Sequence, residues 1–157
     1  MTGLPTEAHA VPRRAPVPPA ALGLLAQAAR GLDEAAALAD PGESYVAAHL
    51  AALRTAAAVL AVRGRPETTA RGRRRIRSVW EVLPETAPEL AEWSVLFAAS
   101  ADRRARIEAG IKGVATPEDA ADLRRAAGFF LRLVEDRLLP RRPVRRTGDE
   151  RHGSASP

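Results

Sequence analysis

The stretch from Tyr45 to Trp93, YVAAHLAALRTAAAVLAVRGRPETTARGRRRIRSVWEVLPETAPELAEW, decides the fold because three local signals follow one another in it. The first part, YVAAHLAALRTAAAVLAV, is dense in alanine, the strongest helix former, and holds neither glycine nor proline. The middle is an arginine-dense hinge in which Gly64, Pro66 and Gly72 prevent a helix from continuing. The last part, SVWEVLPETAPELAEW, repeats a capping-box pattern, Ser78 with Glu81 and Thr86 with Glu89, each opening a new turn.

Outward from that stretch the chain reads as further helices with clear punctuation. From Pro18 or Pro19 to about Leu38, the residues Leu22, Leu25, Ala29, Leu32 and Ala36 recur at steps of three and four and predict one apolar stripe. Asp40, Pro41 and Gly42 end that helix, and Ser44 is the expected cap of the next, which runs to about Val62 with Tyr45, His49, Ala52, Leu53, Ala56 and Leu60 on one side. Pro84 is expected to close the short SVWEVLP turn, after which Thr86 opens a helix to about Gly110 along the line Leu90, Trp93, Phe97, Ala101 and Ile107. Thr116, Pro117, Glu118 and Asp119 form the last start signal, with proline at the first helical position and acids at the positive end of the helix dipole. The final helix presents Leu123, Ala127, Phe130, Val134 and Leu138 and stops before Pro140.

These elements predict an all-α protein, a four- to five-helix up-and-down bundle over residues 18–139. The segments 1–17 and 140–157 carry proline, glycine, serine and charge without apolar periodicity and are expected to be disordered. Thirty-four alanines stand against three Phe, two Trp and one Tyr, so the core is expected to use small residues that let helices approach closely. Trp80 and Trp93 are expected inside it.

Composition also bounds the chemistry. With no cysteine, disulfides, thiolate metal sites and cysteine nucleophiles are excluded. Three scattered histidines and dispersed acids give no metal-ligand spacing, and no phosphate loop, dinucleotide fingerprint or serine triad pattern appears, so neither metal nor cofactor is expected. The proline-broken start resembles no signal peptide, and no charge-free apolar run reaches the length of a membrane span, so no membrane association is expected and a cytoplasmic location is the default. Residues 63–77 carry a net charge of +6 and the total is +5, so the basic excess sits outside the helices.

The segments 45–61, 78–93 and FFLRLVE at 129–135, with the basic hinge between the first two, resemble the HEPN superfamily, in particular a small actinobacterial subfamily of HEPN-like proteins. The resemblance spans about residues 18–139 and implies a four- or five-helix bundle, frequent homodimerisation and a link to RNA or nucleotide biology. In the nuclease branches it implies an arginine and a histidine four to six residues apart that act across a dimer interface without metal. The helical body departs from that pattern, because Arg54 follows His49 and none precedes it at that distance. The matching spacing lies in the tail, where Arg145 and Arg146 precede His152 without apolar residues to anchor them.

The expectation is therefore a dimeric RNA-associated or partner-binding module, its copies meeting through an alanine-rich face that includes Ala52 and Ala56. Arg71, Arg73, Arg74, Arg75 and Arg77 are the candidates for contact with RNA or an acidic partner. The alternatives are a metal-independent ribonuclease using His49, Arg146 or His152, and a structural interaction protein with no nucleic-acid role.

Overall fold

A computed structural model of the protein describes residues 16–64 and 77–140. Five α-helices form among these residues: α1 (Pro19–Ala37), α2 (Pro41–Arg63), α3 (Val79–Thr86), α4 (Ala91–Glu108) and α5 (Pro117–Leu138), with a 3-10 turn at Pro88–Leu90 before α4. No strand occurs among them. The expectations of disordered tails, and most of the hinge, lie outside the described residues.

Helix α2 is the axis of the assembly. It packs most extensively against α1, next against α5, and also meets α3 and α4. Contacts along its length set the direction of its neighbours. Ser44, near its start, meets Ala35 at the end of α1, so α1 is antiparallel. His49 meets Ser100, and Arg63 meets Glu89 just before α4, so α4 is antiparallel as well. Ser44 also meets Arg124 near the start of α5, while Glu89, paired with Arg63, also pairs with Arg137 at the other end of α5, so α5 runs parallel to α2. The order is up, down, up, down, as an up-and-down bundle requires, yet the second and fourth long helices touch instead of standing diagonally apart.

Residue size explains the close approach. Helix α2 buries Ala48, Ala51, Ala52, Ala56 and Ala58, α1 buries Ala21, Ala28, Gly31 and Ala35, and α5 buries Ala120 and Ala127. A Cβ placed on Gly31 would lie 3.6 Å from that of Ala51, ordinary van der Waals contact, so α1 and α2 are spaced for methyl-sized side chains between them. The space toward α4 is filled by rings. Trp80, Trp93, Phe97 and Phe130 form a chain with centroid separations of 5.2 to 6.1 Å. Phe97 and Phe130 are fully buried, each contributing about 2 kcal/mol by removal from water. Trp80 is thus core, as expected, and Trp93 packs against the core while partly buried.

Several start and stop signals act as read. Thr116 accepts from the Asp119 amide while the Asp119 carboxylate accepts from the Thr116 amide, a reciprocal capping box with Pro117 at the first helical position. Ser78 accepts from the Glu81 amide and caps α3. Gly110, at φ +83°, reverses the chain after α4, and the Ile111 amide reaches back to the Arg106 carbonyl.

Others are corrected. Asp40, not Ser44, caps α2, because Pro41 takes the first helical position and the Asp40 carboxylate accepts from the Glu43 amide. Ser44 lies inside the helix, where its hydroxyl donates to the Ala35 carbonyl at the turn from α1. Pro84 lies inside α3 instead of closing it; in a helix of eight residues the missing amide removes only one bond, and the last turn is closed by Ala87 donating to Leu83. Thr86 ends α3 and makes no cap, since the chain passes through the 3-10 turn before α4 begins. The α1 stripe is rotated from the expected one: Ala21, Leu25, Ala28, Gly31 and Ala35 face inward, leaving Leu22, Ala29 and Ala36 exposed. The small residues win the inward position because α2 comes so close.

Helix α2 is long and apolar enough to cross a membrane by length and composition, with a mean hydropathy of 1.6, although no such run was expected; half of that window is buried inside the bundle. The hydropathy follows from its central position, where neighbours cover it on several sides. Ala52 and Ala56 have no exposed surface, so they cannot form the expected dimer face. Replacing Ala52 by Leu should lower the free energy of unfolding in urea by about 1–3 kcal/mol through overpacking. A change smaller than about 0.5 kcal/mol would show that α2 is not packed as described.

Candidate functional site

His49 is the histidine within the described residues, and its place in α2 removes it from solvent: its exposure is 1%. Nδ1 lies 2.7 Å from the Ser100 hydroxyl on α4. That hydroxyl donates to the Phe97 carbonyl at 3.0 Å, so it accepts from the imidazole, which assigns the hydrogen to Nδ1. Trp80 meets the ring edge-on at 5.9 Å. Burial, with the Arg104 charge adding to it and Glu108 opposing it, lowers the His49 pKa to about 4. A neutral imidazole walled in by α4 and Trp80 is a core hydrogen bonder.

Tyr45, one turn earlier on α2, opens onto a shallow depression between α4 and α5. Arg103 lies over its ring at 5.8 Å and reaches Asp119 at 3.5 Å. Burial pushes the Tyr45 phenol up, and the Arg103 charge partly opposes this. The Asp119 carboxyl is held below its usual range first by the Thr116 amide that it accepts. These groups satisfy one another and staple the starts of α2 and α5 to α4.

The basic segment is anchored at both described ends. Arg63 pairs with Glu89, which is thereby held below the usual carboxylate range, and Arg137 approaches the same carboxylate at 3.5 Å. Arg77 pairs with Glu85 through both guanidinium nitrogens, with 3.0 Å between one of them and Oε2. Arg77, one of the expected contacts for RNA or an acidic partner, is thus paired with Glu85 in this structure. Arg71, Arg73, Arg74, Arg75, Arg146 and His152 lie outside the described residues. Because Arg63 and Arg77 both pair with residues 85–89, the segment between them leaves from and returns to the same end of the bundle. Among the described residues no three metal-ligating side chains come together.

A basic surface that the sequence reading did not single out lies between α1 and α5. Phe129 is 58% exposed, with Arg132 over its ring at 4.8 Å and Arg124 and Arg125 in the same groove. The sequence did contain a signal for it. Phe129 and Phe130 are adjacent, and on a helix neighbouring residues point about 100° apart, so only one can join the stripe with Ala127 and Val134.

The model of the HEPN family HEPN_SAV_6107 matches residues 35–135, from the end of α1 through most of α5. No curated protein and no solved structure matched the chain.

The buried imidazole makes stability depend on pH in a defined direction. The unfolded chain protonates His49 near pH 6.5 and the folded one only near 4, so stability is full above about 6.5 and declines as the pH falls toward 4. Between pH 7 and 4 the wild type should lose about 3 kcal/mol more than His49→Gln, as read from urea unfolding of both. Equal losses would place His49 in water.

Proposed function

The chain belongs to the HEPN family whose model it matches, and on that premise we propose that it is a dimeric, non-catalytic HEPN module that associates with RNA. The observation that carries this reading is His49. HEPN-type cleavage needs a histidine that can exchange a proton with the reacting group beside a charge-stabilising arginine. The histidine of the helical body is buried, neutral and bound to Ser100 instead.

What supports association with RNA is the family together with the basic segment. Arg71, Arg73, Arg74 and Arg75 are four cations in a row of five residues, carried by a segment tied at both ends to one end of the bundle. Such a group binds phosphates by releasing counterions and reads no base sequence. For the dimer, the alanine face of α2 is occupied by α1 and α5, so a second copy has to use an outer surface. Val95, 74% exposed, and Leu96 on α4 offer one.

The test is the affinity of the full chain for a single-stranded RNA as salt is raised, comparing wild type with a variant in which Arg71, Arg73, Arg74 and Arg75 are all glutamine. The variant should bind more weakly, with a log–log salt slope shallower by about 3, and the RNA should stay intact in both samples. No affinity at low salt would remove RNA from the account. Cleavage products that vanish in His152→Ala would establish the ribonuclease alternative.

A further inference from the structure

We propose that the groove between α1 and α5 is a stacking site for a base of single-stranded RNA, with Phe129 as the platform and Arg124, Arg125 and Arg132 taking the flanking phosphates. The inference rests on the reading of the protein as RNA-associated and names the place where its helical body would engage the strand.

Three observations converge on this groove. First, Phe129 is the large ring of the fold that the core does not use: Trp80, Trp93, Phe97 and Phe130 stack on one another, whereas Phe129 is turned outward. An exposed phenyl ring beside cations is the arrangement on which unpaired bases stack, whatever their identity. The Arg132 guanidinium lies over the ring at 4.8 Å, so a base stacking on that face takes the guanidinium's place and turns it toward the flanking phosphate.

Second, there is room beside the ring. The groove measures about 470 Å³, and Leu32 of α1 forms its far wall. At Gly128, next to Phe129, an added Cβ would meet nothing within 4 Å, so the groove floor is open at that position.

Third, the charge fits a phosphate strand. Three arginines line the groove against one acid, Asp33. Arg125 also pairs with Asp122, and one terminal nitrogen of the Arg124 guanidinium donates to the Ser44 hydroxyl at 2.7 Å, which holds that head in place while leaving it positively charged. Planar guanidinium groups bind phosphate oxygens in bidentate fashion, so these positions suit a phosphodiester better than lysines would. The basic segment supplies diffuse attraction without an aromatic before Trp80, and Trp80 is buried; Phe129 provides the stacking surface that segment lacks.

The experiment uses the full chain and a short single-stranded oligoribonucleotide containing 2-aminopurine, whose fluorescence is quenched on stacking. Phe129→Ala should weaken binding about tenfold with an unchanged salt slope and should abolish the quenching. Phe129→Tyr should restore both, and the double change Arg125→Gln with Arg132→Gln should make the slope shallower by about 1.4. Because the ring is outside the core, the thermal midpoint of Phe129→Ala by circular dichroism should stay at the wild-type value.

If Phe129→Ala binds and quenches as wild type does, while the glutamine variant of the basic segment loses affinity, the groove is overturned and RNA association stands. If the wild type binds no RNA, the functional reading fails and the groove with it. If Phe129→Ala converts a dimer to a monomer in sedimentation without changing RNA affinity, the face is a seam between copies and the proposal is again overturned.

Discussion

The structure depends on the closeness of α2 to its neighbours. A helix whose inward positions are alanine can be approached from two sides, and α1 and α5 both take that opportunity. Close packing of small residues buries little area per residue, so the fold needs large groups elsewhere. The ring chain of Trp80, Trp93, Phe97 and Phe130 supplies them on the side of α3 and α4. The asymmetry between an alanine side and an aromatic side accounts for the contact between the second and fourth long helices.

The same constraint distributes function. Positions of α2 that face inward are closed to partners, and a histidine among them, His49, becomes a structural hydrogen bonder to Ser100. A charged imidazole there would lose hydration with only the Glu108 field in its favour. Among the described residues, the outer faces of α4 and α5 present exposed apolar groups such as Val95, Leu96 and Phe129. Surface ion pairs such as Arg63–Glu89 and Arg77–Glu85 each contribute little to stability, but they fix where the basic segment leaves the bundle.

Much of the helix layout was legible in local chemistry. Thr116 with Pro117 and Asp119, and the Gly64 and Gly110 terminators, act through atoms within a turn of themselves, and a sequence shows those directly. The inward line of α5 was legible too, because its large residues leave one choice of face. The line of α1 was not. With leucine at 22, 24, 25 and 32 and alanine between them, several stripes are nearly equivalent, and the proximity of α2 selects the one through Ala28 and Gly31. Ser44 looked like a cap because serine often is one, yet Pro41 had already set the start three residues earlier. The partner of His49 lies 51 residues away and no spacing rule reaches it. Phe129 was hidden by the apolar look of FFLRLVE, which reads as core until the helix is turned.

We propose that this HEPN fold holds RNA on its outer surface while its body-borne histidine stays sealed in the core. The most direct measurement is ultraviolet crosslinking of the full chain to single-stranded RNA, with mass spectrometry of the linked peptides and analysis of the RNA ends in the same sample. Crosslinks are expected at Phe129 and along residues 65–76, with RNA of its original length. Crosslinks centred on His49, or RNA ending in 2′,3′-cyclic phosphate, would contradict the proposal.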